Sequence, residues 1–178
     1  MKNKVRPLIY ILLIISFLII YGNKINGQEK VNISAGFGVP ELIHVGVHRQ
    51  LDQFQIGLNI GVIAEEYFIF SISGDIYYHF GGTSELSNRR PWYGRGGLTY
   101  FREENEYEID KYRYLTLRIG RDFNISEKIG IEIDAGAMFE LYHEEIVKKT
   151  QQCTGWFCDW ELEMPVLPSL SLVLFYRL

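Results

Sequence analysis

Apolar and polar residues alternate with a period of two along eight segments of the chain. In the clearest segment, 129–141, Ile, Ala, Phe and Leu occupy the odd positions, and Gly, Glu, Asp and Met occupy the even ones. Because successive side chains of a β-strand point to opposite faces, this period predicts strands with one apolar and one polar face. The predicted strands cover 31–38, 43–48, 54–62, 70–80, 92–101, 115–120, 129–141 and 169–178.

Eight such strands predict an all-β fold, an eight-stranded antiparallel up-and-down barrel, but the alternation alone does not say which face is inside. In a soluble barrel the apolar face forms the core and the polar face meets water. In a transmembrane β-barrel the apolar face meets lipid and the polar face fills the lumen. The polar face here is rich in Gly and small polar residues, which suit a lumen that is only wide enough for side chains. We therefore predict the transmembrane form.

Aromatic residues on the apolar face lie near the ends of the predicted strands. Such placement is typical of the two interfacial girdles of a membrane barrel, although aromatic residues also favour strands in general. One predicted rim contains Phe54, Phe80, Trp92 and Tyr176, and the other contains Phe37, Phe70, Tyr100 and Phe139.

The polar face carries charges of both signs on neighbouring strands. An unpaired buried charge is costly, so a dry lumen requires these charges to pair. We hypothesise that Arg118 pairs with Glu132 or Asp134. The full predicted lumen network is Asp75, Arg95, Arg118, Glu132, Asp134, Glu140 and Arg177.

The connections between the strands differ in length. If the first strand runs outward, the predicted cell-surface connections are 38–42, 63–67, 102–112 and 143–167. The predicted inner turns are then 49–53, 81–91 and 124–128, and the sequence offers no reason for the length of 81–91. Outer-membrane barrels usually carry their longest loops outside, as this assignment does.

The first 27 residues differ from the rest of the chain. Basic Lys2, Lys4 and Arg6 precede an apolar stretch, 8–20, and a short polar stretch ends at Gly27. This layout predicts a secretory signal peptide over 1–27 and a mature barrel domain over 28–178, with an uncleaved anchor helix as the alternative. Because 1–27 carries four Lys or Arg and no acidic residue, the predicted mature chain has a net charge of −8. Nucleic-acid binding needs a surface patch of Lys and Arg, so we do not expect it for this acidic chain.

The predicted outer loop 143–167 contains both cysteines. Export to an oxidising compartment favours a disulfide between Cys153 and Cys158, whereas their spacing does not fit a CxxC redox or metal site. Beside them, Trp156, Phe157 and Trp160 either form a partner site, or pack over the barrel mouth or dip into the outer leaflet.

No segment matches a catalytic or cofactor motif, and we expect no cofactor. His44 and His48 lie roughly 13 Å apart on one strand and cannot share a metal ion. Ser71, Ser73, Asp75 and His79 share a face of another strand, but a serine and a histidine eight residues apart cannot hydrogen-bond. Two of the carboxylates Asp75, Glu132, Asp134 and Glu140 could form an acid/base dyad, but arginines in the same pattern favour salt bridges. The acidic residues of 102–112 are either solvated or bind divalent cations near lipopolysaccharide headgroups.

The chain resembles the small eight-stranded outer-membrane barrels of the OmpA/OmpX type, and especially the outer-membrane β-barrel proteins of Bacteroidetes. The resemblance rests on the Gly27-Gln28 junction, the eight alternating segments, the terminal segment 170–178 and the segment 90–95. One departure is the terminal Leu178, where such barrels often end in Phe.

The resemblance implies a monomeric outer-membrane protein with a structural or surface-recognition role. Its implied partners are outer-membrane lipids, lipopolysaccharide and the barrel-insertion machinery. The alternative is a secreted, soluble, lipocalin-like barrel that binds a small apolar ligand. A lipid-modifying enzyme is a third hypothesis, which the absence of a motif disfavours.

Overall fold

The computed structural model of the chain describes residues 31–64, 68–149 and 166–178. Each of the eight strands pairs antiparallel with the next, and the first also pairs with the last, so the sheet closes into a barrel. The predicted all-β, eight-stranded, up-and-down fold is therefore confirmed. Among the described residues, no helix is long and apolar enough to cross a membrane. The strands are β1 (Val31–Val39), β2 (Leu42–Leu51), β3 (Phe54–Ala64), β4 (Phe68–Gly81), β5 (Trp92–Glu104), β6 (Glu108–Asn124), β7 (Ile129–Val147) and β8 (Val166–Arg177).

The polar face of the sheet lines the lumen and the apolar face forms the outer wall. In β7, Glu132 and Asp134 are 1% and 2% exposed, whereas Ile133 between them is 47% exposed. In the neighbouring strand, Leu172 is 36% exposed and Ser171 only 2%. Inside the barrel, small and charged side chains therefore meet together with a few aromatic ones, such as Tyr77, Tyr93 and Phe175.

Inward-facing glycines make room for the larger side chains of the lumen. A Cβ atom at Gly46 would lie 1.9 Å from the Asn59 amide oxygen, and one at Gly97 would lie 2.0 Å from the Asp75 carboxylate. Both distances are far below van der Waals contact, so only glycine fits. The abundance of Gly on the polar face thus follows from the narrow interior of an eight-stranded barrel.

Strands β5, β6 and β7 stay paired with one another past the last β7–β8 pair that the structure describes. That pair is Phe139 with Val166, while β7 and β6 are paired up to Val147 and Glu108. We call residues 101–104, 108–114 and 140–147 the extension. The prediction of irregular loops at 102–112 and 143–167 was wrong for these residues, because the extension is paired strand.

Sequence alternation failed in the extension because neither of its faces is continuously apolar. Its strands are joined by the backbone ladder and by polar contacts such as Lys111 to Glu144 at 3.1 Å and Lys148 to Glu104 at 2.8 Å. The rings of Tyr112 and His143 also stack, with centroids 4.3 Å apart.

Candidate functional site

Two guanidinium groups and three carboxylates form an upper charge cluster inside the barrel. Arg95 bonds to Glu41 at 2.6 Å, to Asp75 at 2.9 Å and to Asp134 at 3.2 Å. Arg118 bonds to Glu41 at 2.6 Å and to Asp134 at 3.2 Å. All five residues are at most 3% exposed, so these pairs are formed away from solvent.

Neutral side chains satisfy further atoms of the upper cluster. Ser171 and the Tyr93 hydroxyl donate to the Asp134 carboxylate at 2.7 and 3.2 Å, and Asn59 donates to Asp75 at 2.7 Å. The Arg118 Nε donates to Ser169 at 2.6 Å. Buried ion pairs persist only when their remaining donors and acceptors are also bonded, and this surrounding shell supplies most of those bonds.

Glu41 is the member of the upper cluster that sequence reasoning missed. It lies in the short turn between β1 and β2, which we expected to be a surface connection. The turn instead directs the Glu41 side chain into the lumen, where it bridges Arg95 and Arg118. A residue outside the alternating segments has no period to reveal this, so no signal in the sequence could have identified it.

A lower charge cluster occupies the opposite end of the lumen. Arg89 lies 2.5 Å from Asp122 and 3.6 Å from Glu132, and it also donates to the Gln55 amide at 2.7 Å. Arg89 comes from the connection 81–91, whose length had no explanation in the sequence. The structure explains this length, because the connection folds back and inserts the Arg89 side chain into the lumen. Arg89 is only 3% exposed.

Arg177 lies near the same end of the barrel. Its guanidinium donates to the Asn124 side chain at 2.5 Å and to the Glu127 carbonyl at 3.0 Å, and it stacks on the Phe175 ring at 4.7 Å. The arginine of the terminal strand therefore ties β8 to the turn between β6 and β7.

The structure divides the predicted lumen residues among different places. Asp75, Arg95, Arg118 and Asp134 meet in the upper cluster, and Glu132 belongs to the lower one. Of the two hypothesised partners of Arg118, Asp134 is the one in contact. Glu140 is exposed in the extension and is not buried with the other predicted lumen residues.

The histidines and serines of the lumen bond to a mixture of neutral and charged groups. His79 pairs with the Arg90 carbonyl at 2.9 Å, and Ser73 donates to Asp75 at 3.1 Å. The closest serine to a histidine is Ser34, whose hydroxyl lies 3.3 Å from His48. The other ring nitrogen of His48 meets the Gln55 amide rather than a carboxylate, and all three residues are at most 2% exposed. A nucleophilic triad needs an orienting acid and an open approach for substrate, and this trio has neither.

Several predicted features lie outside the described residues. These are the signal peptide 1–27, the cysteine pair Cys153 and Cys158, and the aromatic residues Trp156, Phe157 and Trp160. Within the ranges that the structure describes, no group of three or more His, Cys, Asp or Glu is arranged to hold a metal ion. Cation binding by the acidic residues of 102–112 stays a prediction.

No family model, curated protein or solved structure matches the chain. The structure by itself shows a closed eight-stranded antiparallel barrel, and the resemblance to the OmpA/OmpX type stays a prediction.

Proposed function

We propose that the chain is a monomeric integral outer-membrane β-barrel with a filled lumen, whose role is structural or is surface recognition through the extension. The observation that carries the proposal is the distribution of charge: ion pairs lie inside the barrel, and the outer wall is apolar. Exposed apolar side chains around a whole barrel are unfavourable in water and favourable in hydrocarbon.

The height of the apolar wall supports the proposal. On the outer face of β6, three apolar residues, Leu115, Leu117 and Ile119, separate Arg113 from Arg121. At about 3.3 Å per residue, the two arginines are roughly 26 Å apart along the strand, or roughly 20 Å along the normal at a tilt near 40°. This height is close to the apolar band of roughly 25 Å that is typical of outer-membrane barrels.

Aromatic side chains at both ends of the wall also support the proposal. Trp92 and Tyr176 are 41% and 42% exposed near one rim, and Phe37 is 55% exposed near the other. Aromatic rings favour the interface between hydrocarbon and headgroups.

The lumen is better suited to this role than to the alternative of a soluble, lipocalin-like carrier. A carrier of apolar ligands needs an apolar cavity. The interior of the described barrel instead contains the two charge clusters and their hydrogen-bonded shell. We assign no catalytic step, because the Ser34–His48 pair is closed to substrate.

Fractionation tests the proposal directly. We expect the full-length protein to stay with the membrane through carbonate and urea washes and to be released by detergent. We also expect unboiled protein to migrate faster than boiled protein in a gel, as a closed barrel does when it stays folded. A chain that leaves the membrane fraction without detergent would support the soluble carrier instead.

A further inference from the structure

An apolar groove crosses the outer wall of the barrel from β4 to β7. Its volume is about 840 Å³, which lies in the roughly 300–1,000 Å³ range of small-molecule sites. We call it the wall groove. Its floor is formed by Gly74, Gly94 and Gly96, and its rims include Ile76, Leu98, Leu115, Leu117, Ile119 and Ala135.

No packing contact within the protein requires glycine at the three floor positions. A Cβ atom at inward-facing Gly120 or Gly97 would lie 2.5 or 2.0 Å from neighbouring atoms, so those glycines are needed for packing. A Cβ atom at Gly74 or Gly94 would meet nothing within 4 Å, and one at Gly96 would meet only Leu117 at 3.7 Å. Glycine weakens a strand, so a depression left open by three of them indicates that something outside the chain fills it.

A positive charge lies above the groove on the same face. Arg113 is exposed on the outer face of β6, two residues beyond Leu115, directly opposite Tyr100 of β5. Its guanidinium stacks on the Tyr142 ring at 4.9 Å. Among the described residues no carboxylate lies within ion-pair distance of Arg113, whereas the nearby outer-wall cations Arg102 and Lys111 are paired with Glu104 and Glu144.

We propose that the wall groove binds one acyl chain of an anionic membrane lipid whose phosphate pairs with Arg113. This inference rests on the proposed membrane location, because only a barrel in a bilayer presents the groove to lipid tails. The lipid belongs to the leaflet on the side of the extension, since Arg113 lies at that end of the wall.

The dimensions suit this occupant. From Arg113 to Ile119 is six residues along β6, or roughly 20 Å, which is roughly 15 Å along the bilayer normal at a tilt near 40°. Half of a hydrocarbon core of about 30 Å has this thickness. A lipid with its phosphate at Arg113 can therefore extend its chain along the groove as far as the Gly94–Ile119 pair, past the midpoint of the wall between Arg113 and Arg121.

Native mass spectrometry of the full-length mature protein in detergent tests the inference. Dimyristoyl phosphatidylglycerol is titrated against dimyristoyl phosphatidylcholine, which has the same chains and no net charge. We expect one phosphatidylglycerol molecule to be retained, with a dissociation constant about tenfold lower than that of phosphatidylcholine.

Two variants remove the two halves of the site. Gly94→Leu fills the groove at a position where a side chain meets no protein atom, and Arg113→Gln removes the charge. Each is expected to weaken phosphatidylglycerol retention about tenfold while the barrel stays folded. Ala35→Leu, which adds bulk on the β1 part of the wall, and Arg121→Gln, at the other end of β6, are the matched controls and should retain the lipid.

Each other outcome overturns the inference. Equal retention of the two lipids, or unchanged retention in Gly94→Leu or Arg113→Gln, excludes this site while leaving the membrane barrel intact. A dimer mass that Gly94→Leu abolishes assigns the groove to a second copy of the chain. A wild-type chain that does not insert into vesicles of either lipid refutes the proposed function and this inference together.

Discussion

At the scale of the residue, charged side chains lie in the lumen, where a charge without a partner would cost the most free energy. Arg95 contacts three carboxylates, and none of the four groups is more than 2% exposed. Replacing a buried ion pair by apolar groups is often tolerated, but removing one partner leaves the others without compensation. The stability of the barrel should thus be far more sensitive to single arginines in the lumen than to arginines on the wall.

Arg95→Met tests this sensitivity. We expect a loss of about 3–5 kcal/mol in the free energy of unfolding, because Glu41, Asp75 and Asp134 lose a shared partner. Urea unfolding in detergent micelles measures the change. Arg121→Met, at an exposed arginine that stacks on Trp92 at 5.4 Å, is the control and should cost less than about 1 kcal/mol. Similar losses in both variants would contradict the role given to the upper cluster.

At the scale of the element, the connection 81–91 acts as a plug for the lower end of the lumen. Arg89 anchors it to Asp122, and Gln53 bonds to backbone atoms of Asn88 and Arg90 from the turn between β2 and β3. Since the connection has no regular secondary structure, these side-chain contacts hold it in place.

Arg89→Ala should release the plug. We expect faster amide hydrogen exchange over 82–91 and an unfolding free energy lower by about 3 kcal/mol or more, since Asp122 and Glu132 lose their shared cation. Arg90→Ala, at an exposed neighbour that bonds to the Phe80 carbonyl, serves as the control and should leave exchange in 82–91 nearly unchanged. Exchange that does not change in Arg89→Ala would show that the backbone alone holds the connection.

The extension contains a row of like charges on neighbouring strands. Glu103 lies directly opposite Asp110, and Asp110 directly opposite Glu145. Partial burial, and then the charges of Asp110 and Glu108, raise the pKa of Glu103 above its ordinary value. Like charges in direct register destabilise a sheet.

The Glu103 carboxyl therefore makes the extension less stable as pH rises. Because its pKa is raised in the folded state, the folded form binds the proton more tightly, and this stabilisation is lost as pH rises through that pKa. At pH 7, Glu103→Gln should slow amide exchange in the extension, because it raises the free energy of local opening by about 0.5 kcal/mol. Below a pH of about 4 the substitution should have no effect.

Glu104→Gln is the matched control with the opposite sign. A hydrogen bond from Lys148 lowers the pKa of Glu104, so the ionised form is the one that stabilises the extension. Its replacement should speed exchange at pH 7. Equal effects of the two variants would exclude the like-charge row as the cause.

At the scale of the whole molecule, closure of the barrel joins residues that are far apart in the chain. Asn32 pairs with Arg177, and Val39 with Leu170. Closure removes free strand edges, and in the proposed membrane location such edges would leave backbone groups unpaired within the bilayer. The apolar wall is then continuous around the barrel. If it lies in a bilayer, the cost of placing a charged residue on it should depend on how far that residue lies from the membrane surface.

Val45→Arg and Leu51→Arg measure this dependence on one strand. Val45 is 62% exposed halfway along the wall, and Leu51 is 45% exposed at its end. In a bilayer, arginine should cost about 2–4 kcal/mol at Val45 and at most about 1 kcal/mol at Leu51. Unfolding in lipid vesicles measures both. A soluble barrel would accept arginine equally well at these exposed sites, so equal and small costs would contradict the membrane proposal.

The sequence by itself determined the eight strands and their alternating faces, and it predicted that charges on the polar face lie together. Alternation is local, and each of its segments carries the same information about which side chains share a face. It also indicated that Arg118 and Asp134 belong to one interior, because they occupy the polar faces of consecutive segments. Where both faces are polar, as in the extension, the period vanishes and the strands could not be recognised.

Only the tertiary structure decided which residues enter the lumen from outside the strands. Glu41 and Arg89 come from connections, whose side-chain directions are set by how the closed barrel positions their ends rather than by a period. It also showed that Glu140 is exposed on β7 and not buried with the lumen charges. Local pattern fixes the face of a strand, whereas the height at which a strand leaves the barrel and the path of a turn depend on the register of all eight strands together.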